Sequence, residues 1–350
     1  MARKLRLWTV LVCLTCIIAS CGVPISQSEP IPTPPQIPVP EVIEFPNPLT
    51  GLELGSAELM RLRPIAVMHN NLKEAMPLLG VSRADILYEI QTEGGITRIL
   101  GLYQNINDVP LIGSIRSTRT CFLETALSHD AVLIHAGASR FAREELGRWE
   151  MDSIDAQRQS PEHFWRDQDR RAAGYHLEHT MVTDGKSARE IFNQRTRTEL
   201  EENFTPPQKF TAESALTDAT PAVDINVTVS GAKTTGFAYD PDTKLYTVSQ
   251  YGDVMKDGSA DNKPVEVTSL VVIQTDISSM GTSKGHSEVN LQTSGKGWYA
   301  AGGEYIPILW SRSGLREPII YTQSDGSELV FPRGRIYVCV VPNGRDPDFS

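Results

Sequence analysis

Residues 84–103 have the sequence ADILYEIQTEGGITRILGLY, in which two apolar runs flank Glu93-Gly94-Gly95. Each run has the length of a strand, and a pair of glycines between two such runs favours a turn. The segment therefore predicts two strands, over residues 84–90 and 96–103, with a short connection. A further buried strand is predicted just upstream, over residues 63–68.

Helices and strands alternate after this hairpin. Residues 118–127, 138–149 and 187–193 favour helices, and the apolar residues 130–135 favour a strand. Such interleaving is typical of a mixed α/β arrangement.

After residue 222 the pattern changes to strands alone. Clusters of glycine, aspartate and serine separate the apolar runs. The predicted strands are residues 223–229, 244–251, 265–274, 297–310, 318–323 and 335–341. We therefore predict an α+β protein with an N-terminal mixed α/β domain over residues 49–205. A smaller antiparallel β-rich domain is predicted over residues 206–350.

The first twenty residues have the composition of a signal peptide. A basic start precedes the apolar residues 7–19, a run too short for a comfortable membrane helix. The run ends in Ile18-Ala19-Ser20-Cys21-Gly22, which resembles the bacterial lipobox. We expect removal of residues 1–20, lipid on the Cys21 thiol and membrane attachment through that lipid, on the extracytoplasmic face. An ordinary secretory signal is the alternative.

The proline-rich residues 21–48 are expected to form an extended tether. A proline-rich ligand for a partner protein is the alternative. The formal net charge of −10 argues against nucleic-acid binding.

Two cysteines, Cys121 and Cys339, lie outside the signal and the lipidation site. Two cysteines so far apart do not form a disulfide framework. We expect two buried free thiols, with a bridge as the alternative in an oxidising compartment.

Short motifs between about residue 47 and residue 342 resemble the YerB-like bacterial lipoproteins. Each motif alone is unspecific, whereas their order and spacing are specific. The motifs are NPLTG (47–51), RPIAVM (63–68) with Asn70 and Asn71, ADILYE (84–89), EGGITR (93–98), IGSIRSTR (112–119), HAGAS (135–139), FWRD (164–167) with Arg170, His179-Thr180, and GKG (295–297) through Gly302-Gly303 to Trp310. The resemblance implies an α/β domain joined to a β-rich domain, and it implies no reaction.

The sequence departs from this family pattern at three places. His69 stands where aspartate usually precedes the asparagines, and Glu178-His179-Thr180 stands for Pro-His-Asn. Cys121 stands where an aromatic residue is usual. A family activity that depends on those residues would not extend to this chain.

Three arginines, Arg98, Arg116 and Arg119, are expected at strand or loop ends near glycines. If a helix starts near residue 118, its free amides and these guanidinium groups would form a site for phosphate or carboxylate. The alternative is that each arginine pairs with a local acid such as Glu89, Glu93 or Asp85.

Two histidines are candidates for a site. His135 ends an apolar strand before small residues, which is where α/β proteins place ligands, although a capped core histidine is the alternative. His179 belongs to the family motif together with Arg166, Asp167 and Arg170. Those two arginines are candidate ligand-binding residues, while Asp167 would otherwise tie down a helix.

Neither a metal site nor a cofactor is predicted. His176 and His179 have the spacing of two zinc ligands, but no further ligand motif accompanies them. Trp298 and Trp310 are an even number of residues apart, as are Tyr299 and Tyr305, so each pair would lie on one face of a strand. Such rows could stack on sugars, but we favour core packing.

These observations predict a lipid-anchored envelope protein that binds an anionic ligand or an envelope partner. One alternative is a hydrolase or transferase of envelope polymers with His135, His179 or Asp167 as a catalytic group. The other is a structural scaffold for envelope proteins. The oligomeric state stays open.

Overall fold

The computed structural model describes residues 43–214 and 216–350, which form one compact unit. The predicted signal peptide, Cys21 and most of the predicted tether lie outside these residues. In the part described, no helix combines the length and apolar character needed to cross a bilayer.

The α-helices of the described residues all lie before residue 193. They are α1 (Ala57–Arg61), α2 (Thr120–Leu127), α3 (Arg140–Arg148), α4 (Gln168–Ala172) and α5 (Gly185–Phe192). Short 3-10 helices lie at Lys73–Ala75, Val81–Arg83, Glu93–Gly95, Ala156–Arg158 and Leu177–His179. Three of the α-helices therefore coincide with the helices that the sequence predicts.

The strands before residue 205 include each strand predicted there. They are β1 (Ile65–Asn70), β2 (Ile86–Gln91), β3 (Thr97–Tyr103), β4 (Ile112–Gly113), β5 (Val132–His135), β6 (Ser153–Asp155), β7 (Trp165–Arg166) and β8 (Met181–Thr183). The Glu93–Gly95 turn joins β2 to β3, and both of its glycines have positive φ, which glycine adopts without strain.

The later part of the chain contains strands and connecting turns. The strands are β9 (Lys209–Thr211), β10 (Thr220–Pro221), β11 (Asp224–Ser230), β12 (Lys233–Asp240), β13 (Leu245–Gln250), β14 (Asp253–Val254), β15 (Lys256–Asp257), β16 (Lys263–Pro264), β17 (Glu266–Val267), β18 (Ser269–Thr275), β19 (Ile277–Ser279), β20 (Ser287–Val289), β21 (Ser294–Ala301), β22 (Glu304–Ser311), β23 (Ile320–Gln323), β24 (Val330–Pro332), β25 (Ile336–Pro342) and β26 (Asp348–Phe349). The α+β class is therefore confirmed.

A large mixed sheet contains strands from both parts of the chain. Its order is β10-β22-β21-β18-β25-β2-β3-β1-β5-β6, and β23 pairs with β22. The join is the parallel pair β2–β25, in which Glu89 lies opposite Cys339. The predicted boundary near residue 205 thus separates a region with helices from a region without them, while the sheet is common to both. Within the later region, β18 and β25 pair in parallel.

A smaller sheet, β14-β13-β12-β11-β26 with β17 on β13, packs against one face of the large sheet. Successive residues of β1 alternate between two apolar clusters. Val67 belongs to the apolar cluster that contains residues of the smaller sheet, whereas Met68 belongs to the cluster that contains residues of α2 and α3. Because helices and sheet cover both faces, every residue of β1 is buried.

The aromatic side chains of β21 and β22 pack as core residues, but not in the rows that sequence parity suggests. Trp298 and Tyr305 pack against the cluster that contains the smaller sheet, whereas Tyr299 and Trp310 lie in the other cluster. The hairpin reverses parity, because Trp298 pairs with Pro307, and Tyr299 pairs with Ile306.

Cys121 and Cys339 are both free and buried, as expected.

Candidate functional site

Three parallel strands end side by side at one edge of the large sheet. They are β1, β5 and β6, which end at Asn70, His135 and Asp155. Ligands of α/β proteins commonly bind where such carboxyl ends meet. The polar candidates from the sequence are therefore expected around this edge.

The segment from Ser114 to Thr118 inserts between β1 and β5 at the same edge. On the β1 side, the Asn70 amide donates to the Ser114 carbonyl and the Arg116 amide to the Met68 carbonyl, both at 2.9 Å. On the β5 side, the Ala136 amide donates to the Arg116 carbonyl at 3.0 Å. This pairing fixes the backbone of Arg116 at the carboxyl end of the parallel strands.

Arg98 and Arg119 share the carboxylate of Glu93. Arg98 donates to Oε1 of Glu93 at 2.7 Å, and Nε of Arg119 donates to Oε2 at 2.8 Å. Arg98 also donates to the Ser117 carbonyl at 2.6 Å. Of the two possibilities left open by the sequence, pairing with a local acid is thus observed for these two arginines.

Burial and charge act against each other in this triad. Burial alone would raise the pKa of Glu93, but the hydrogen bond from Arg119 and the charge of Arg98 lower it to about 2. Burial, followed by the charge of Arg119, lowers the pKa of Arg98 to about 9. Glu93, Arg98 and Arg119 therefore form a structural ion-pair cluster. The burial of the charged Arg98 in it has an electrostatic cost.

Arg116 faces a different group of side chains. Its guanidinium forms an ion pair with Glu178, whose Oε2 lies 2.9 Å from Nη2, while its Nε is buried without a partner among the described residues. Arg166 donates to the Leu177 carbonyl at 2.8 Å. Burial and then the charge of Arg116 lower the pKa of Arg166, so the two guanidinium groups are electrostatic neighbours.

His179 borders the Arg116–Arg166 pair. Its Nδ1 lies 2.8 Å from Nδ2 of Asn70, and its Nε2 lies 3.8 Å from Glu178. Oδ1 of Asn70 accepts from the Leu72 amide at 3.1 Å, so the Asn70 amide group points its donor at His179. Burial lowers the pKa of His179, although Glu178 opposes this effect. Neutral His179 therefore carries its hydrogen on Nε2.

Asp167 and Arg170 make intramolecular contacts. Asp167 caps α4 by accepting from the Asp169 and Arg170 amides at 3.0 and 3.1 Å. Arg170 donates to the backbone carbonyls of Ala75, Pro77 and His179 and lies over the ring of Tyr175. The alternative in which Asp167 ties down a helix matches this geometry.

His135 lies in a separate depression. Its Nδ1 is 2.8 Å from the Gly137 carbonyl, and neither Arg116 nor His179 is among the groups that shift its pKa. Asp155, Arg143 and Arg158 line the same depression. Burial lowers the pKa of His135. The structure thus does not show the two candidate histidines acting on one group.

A buried polar network around Glu89 was not identified as a site from the sequence. Its carboxylate accepts hydrogen bonds from Asn71 at 2.9 Å, Thr97 at 2.7 Å, Thr235 at 2.7 Å and Tyr337 at 2.8 Å. The network joins the large and smaller sheets. The signal in the sequence was Glu89 itself, which lies two residues from Leu87 in β2 and therefore on the same face of the strand.

Lys233 extends this network. Its ammonium lies 3.3 Å from the ring centroid of Tyr251 and has no hydrogen-bond acceptor among the described residues. Burial lowers the pKa of Lys233 to about 8, although the charge of Glu89 opposes this. Such a group is strained electrostatically, because an ammonium normally keeps its hydration or an acceptor.

His69 occupies a position at which the family usually has aspartate. The ring is fully buried, with Nε2 3.0 Å from the Tyr103 hydroxyl and Nδ1 3.2 Å from the Gly113 carbonyl. Burial lowers the pKa of His69 to about 4. The histidine is therefore a neutral core residue at neutral pH.

Across residues 43–214 and 216–350, no three side chains of His, Cys, Asp or Glu converge as metal ligands would. Nδ1 of His176 lies 3.5 Å from Glu178, the carboxylate that His179 also approaches. No third side chain of a metal-binding type joins these histidines among the described residues.

The chain matches two family descriptions and one named relative. "Protein of unknown function (DUF3048) N-terminal domain" matches residues 49–199, and the corresponding C-terminal domain matches residues 225–338. The "Putative lipoprotein YerB" of Bacillus subtilis (strain 168) is 26% identical over 336 residues, which cover 95% of either chain. These matches confirm the resemblance to YerB-like proteins.

A solved structure shares the fold. The crystal structure of the YerB protein from Bacillus subtilis matches with a TM-score of 0.76 at 24% identity. The match covers 88% of this chain and 100% of the crystallised chain. The folded body alone thus corresponds to a chain that was crystallised.

Proposed function

The chain belongs to the DUF3048 family, and on that premise we propose that it is a lipid-anchored envelope protein that binds an anionic ligand through Arg116 and Arg166. The name of the relative, a lipoprotein, supports the anchoring. The ligand class is a phosphate or carboxylate group of an envelope polymer, because guanidinium groups bind both through paired hydrogen bonds.

The observation that carries this proposal is an excess of positive charge beside the sheet edge. Arg116 and Arg166 are close enough for the charge of Arg116 to lower the pKa of Arg166. Their neighbourhood supplies one carboxylate contact, from Glu178 to Arg116. A bound anion would relieve the repulsion between the two cations.

Glu178 is suited to be displaced by such an anion. It lies in the short 3-10 helix Leu177–His179, and 44% of its side chain is exposed. An exposed ion pair contributes only about 0–1 kcal/mol. A ligand that contacts both arginines makes more charge-assisted hydrogen bonds than Glu178 does, so exchange of Glu178 for the ligand is favoured.

His179 provides a neutral donor next to the arginines. Since Nδ1 accepts from Asn70, the hydrogen of the neutral ring is on Nε2, which faces Glu178 at 3.8 Å. The same N–H would donate to an anion in the position of the Glu178 carboxylate. Arg116 and His179 would then both donate to one acceptor position.

The test is calorimetric titration of residues 43–350 with inorganic phosphate and with acetate. Arg116→Ala is expected to weaken binding roughly tenfold or more, because a charged hydrogen bond contributes about 1.5–3 kcal/mol. Glu178→Ala is expected to strengthen binding by up to roughly fivefold, since the competing surface ion pair is lost. Added salt weakens binding in each case.

Arg140→Ala is the matched control. Arg140 pairs with Glu144 on an exposed face of α3, so its removal changes the net charge equally without touching the site. If Arg140→Ala weakened binding as much as Arg116→Ala, the effect would be one of net charge. Binding that Glu178→Ala leaves unchanged or weakens would contradict displacement.

The anchoring is tested separately on the full chain. Cys21→Ser is expected to prevent acylation and to move the protein from the membrane fraction to the soluble extracytoplasmic fraction. Mass spectrometry of the purified mature chain reads out the acyl groups directly. A mature product that starts at Met1, or that carries no lipid on Cys21, would contradict the proposal.

A further inference from the structure

An amine, a carboxylate and an amide meet in the buried layer between the large and smaller sheets. Lys233 enters this layer from β12, Glu89 from β2, and Asn71 from the position after β1. Asn71 and Glu89 have no exposed surface, and Lys233 is 4% exposed. Thr235 shares the inward face of β12 with Lys233 and donates to Glu89 at 2.7 Å, so both ends of this strand segment face the same carboxylate.

Two atoms of this region lack the hydrogen bonds that buried polar atoms normally make. Among the described residues, Nζ of Lys233 has no acceptor and Oδ1 of Asn71 has no donor. Both residues contact Tyr251, because Nζ lies 3.3 Å from its ring centroid and its hydroxyl donates to the Asn71 carbonyl at 2.6 Å. A region built for stability alone would pair such an ammonium with such an oxygen.

Glu89 is positioned as an acid–base group for the other two side chains. Its Oε1 accepts from Nδ2 of Asn71 at 2.9 Å, so the carboxylate contacts the amide nitrogen directly. Burial lowers the pKa of Lys233 to about 8, although the charge of Glu89 opposes this effect. A lysine becomes a nucleophile when burial and an adjacent base favour its neutral form.

We propose that Lys233 attacks Asn71 to form an amide bond between the two side chains, with Glu89 as the acid–base group. The bond joins β12 of the smaller sheet to the end of β1 in the large sheet. The reacting groups belong to one folded chain, so no collision between separate molecules is needed. The flexible four-carbon stem of Lys233 lets Nζ approach Cγ of Asn71 by rotation about its own bonds.

The reaction needs no co-reactant from outside the chain. The Lys233 ammonium first gives a proton to Glu89, and the neutral Nζ then bonds to Cγ of Asn71. Glu89 returns the proton to Nδ2, the Cγ–Nδ2 bond breaks, and ammonia leaves. Glu89 takes the second proton that Nζ gives up and passes it to the departing ammonia, so ammonium is the by-product.

The bond would act as a covalent brace between the sheets. It closes the loop between residues 71 and 233, and a cross-link that closes a long loop restricts the unfolded chain strongly. Cys121 and Cys339 are both free, so no disulfide provides such a brace among the described residues. The brace shares no side chain with the Arg116–Arg166 pair and does not depend on the anion site. Lys233 ionises, and affects stability through its charge, only before the bond forms.

The test is the mass of residues 43–350, refolded from urea and then denatured for mass spectrometry. The refolded chain is expected to lose the mass of one ammonia over several days, while the same chain kept in urea is not. Digestion with trypsin is expected to yield one branched peptide that contains both Asn71 and Lys233. The inference is overturned if the refolded chain keeps its full mass, or if the branch joins Lys233 to Gln250 instead.

Three variants assign the roles. Lys233→Met and Asn71→Ala are expected to keep their full mass after refolding, and Glu89→Gln is expected to keep it although both reacting groups remain. Loss of ammonia in Lys233→Met would reveal a cyclic imide at Asn71 and overturn the inference, and a Glu89→Gln chain that links as fast as the native sequence would overturn the role of Glu89.

Lys244→Met is the matched control. Lys244 is an exposed lysine that pairs with Glu213, so its replacement is expected to leave the loss of ammonia unchanged. The mass of the unaltered refolded chain decides the inference even if a variant of the buried network fails to fold.

Discussion

Replacement of Glu93 by glutamine is expected to destabilise the fold by about 3–5 kcal/mol, because it leaves a buried guanidinium without its counter-charge. Arg98 is 2% exposed and contacts Glu93 at 2.7 Å. Its pKa is lowered to about 9 even with Glu93 in place. Arg119, which shares the carboxylate, would add repulsion once the carboxylate is gone.

The pH dependence gives a second estimate of the magnitude. The pKa of Glu93 falls from 4.5 to about 2 in the folded protein. At 1.36 kcal/mol per pKa unit, this difference corresponds to roughly 3 kcal/mol of stability. Because the folded pKa is depressed, the contribution is complete above the unfolded value near 4.5. It is lost as the pH falls towards 2, where the folded carboxyl also protonates.

Urea unfolding of residues 43–350, followed by circular dichroism at about pH 7 and about pH 3, measures both effects. Glu144→Gln is the control, because the exposed Arg140–Glu144 pair is worth only about 0.3–0.5 kcal/mol. The double variant Glu93→Leu with Arg98→Met is expected to be more stable than Glu93→Gln, since the most deeply buried charge, that of Arg98, is removed together with its counter-charge. A loss below about 1 kcal/mol for Glu93→Gln, with no dependence on pH, would refute the reasoning.

Three further outcomes are expected. Cys121 and Cys339 should not react with a thiol reagent in the folded protein and should both react in urea, because burial raises the pKa of Cys121 to about 12 and Cys339 is fully buried. Glu89→Leu should lower the unfolding free energy by more than about 3 kcal/mol by leaving buried donors unpaired, and Glu89→Gln by less, as measured in urea. Between pH 8 and 10.5 the stability of the native sequence should rise relative to Lys233→Met, because the folded pKa of Lys233 is depressed and the unfolded state binds more protons in that window.

The local sequence was sufficient to predict β1, β2, β3 and β5 and the helices α2, α3 and α5, but not most of the short strands. Residues 63–68 form a continuous apolar run because β1 is buried on both faces, and its strand was predicted from that run. The pairing of β2 with β25 could not be predicted, since no local signal connects strands whose paired residues are 250 positions apart along the chain. The predicted division near residue 205 followed composition, which does not show that two regions share a sheet.

The residue types of the candidate site could be predicted from the sequence, but the ion pairs that these residues form could not. Arg98 and Arg119 have the glycine-rich, strand-end setting of an anion site, yet Glu93 occupies both of them. The contact of Arg116 with Glu178 joins residues 62 positions apart, so only the fold reveals it. Lys233 is the first residue of β12, KTTGFAYD, and nothing in this sequence indicates that its ammonium is buried.

Asn70, the last residue of β1, and Asn71, which follows it, connect the surface site to the buried network. Successive side chains of a strand point to opposite faces. Asn70 therefore orients His179 beside Arg116, while Asn71 donates to Glu89 between the sheets. The backbone of Asn70 is held by Ser114 in the inserted segment, and the Asn71 carbonyl accepts from the hydroxyl of Tyr251, in the turn between β13 and β14, at 2.6 Å. A shift of β1 by one residue would exchange these two roles, so the same register must position both groups.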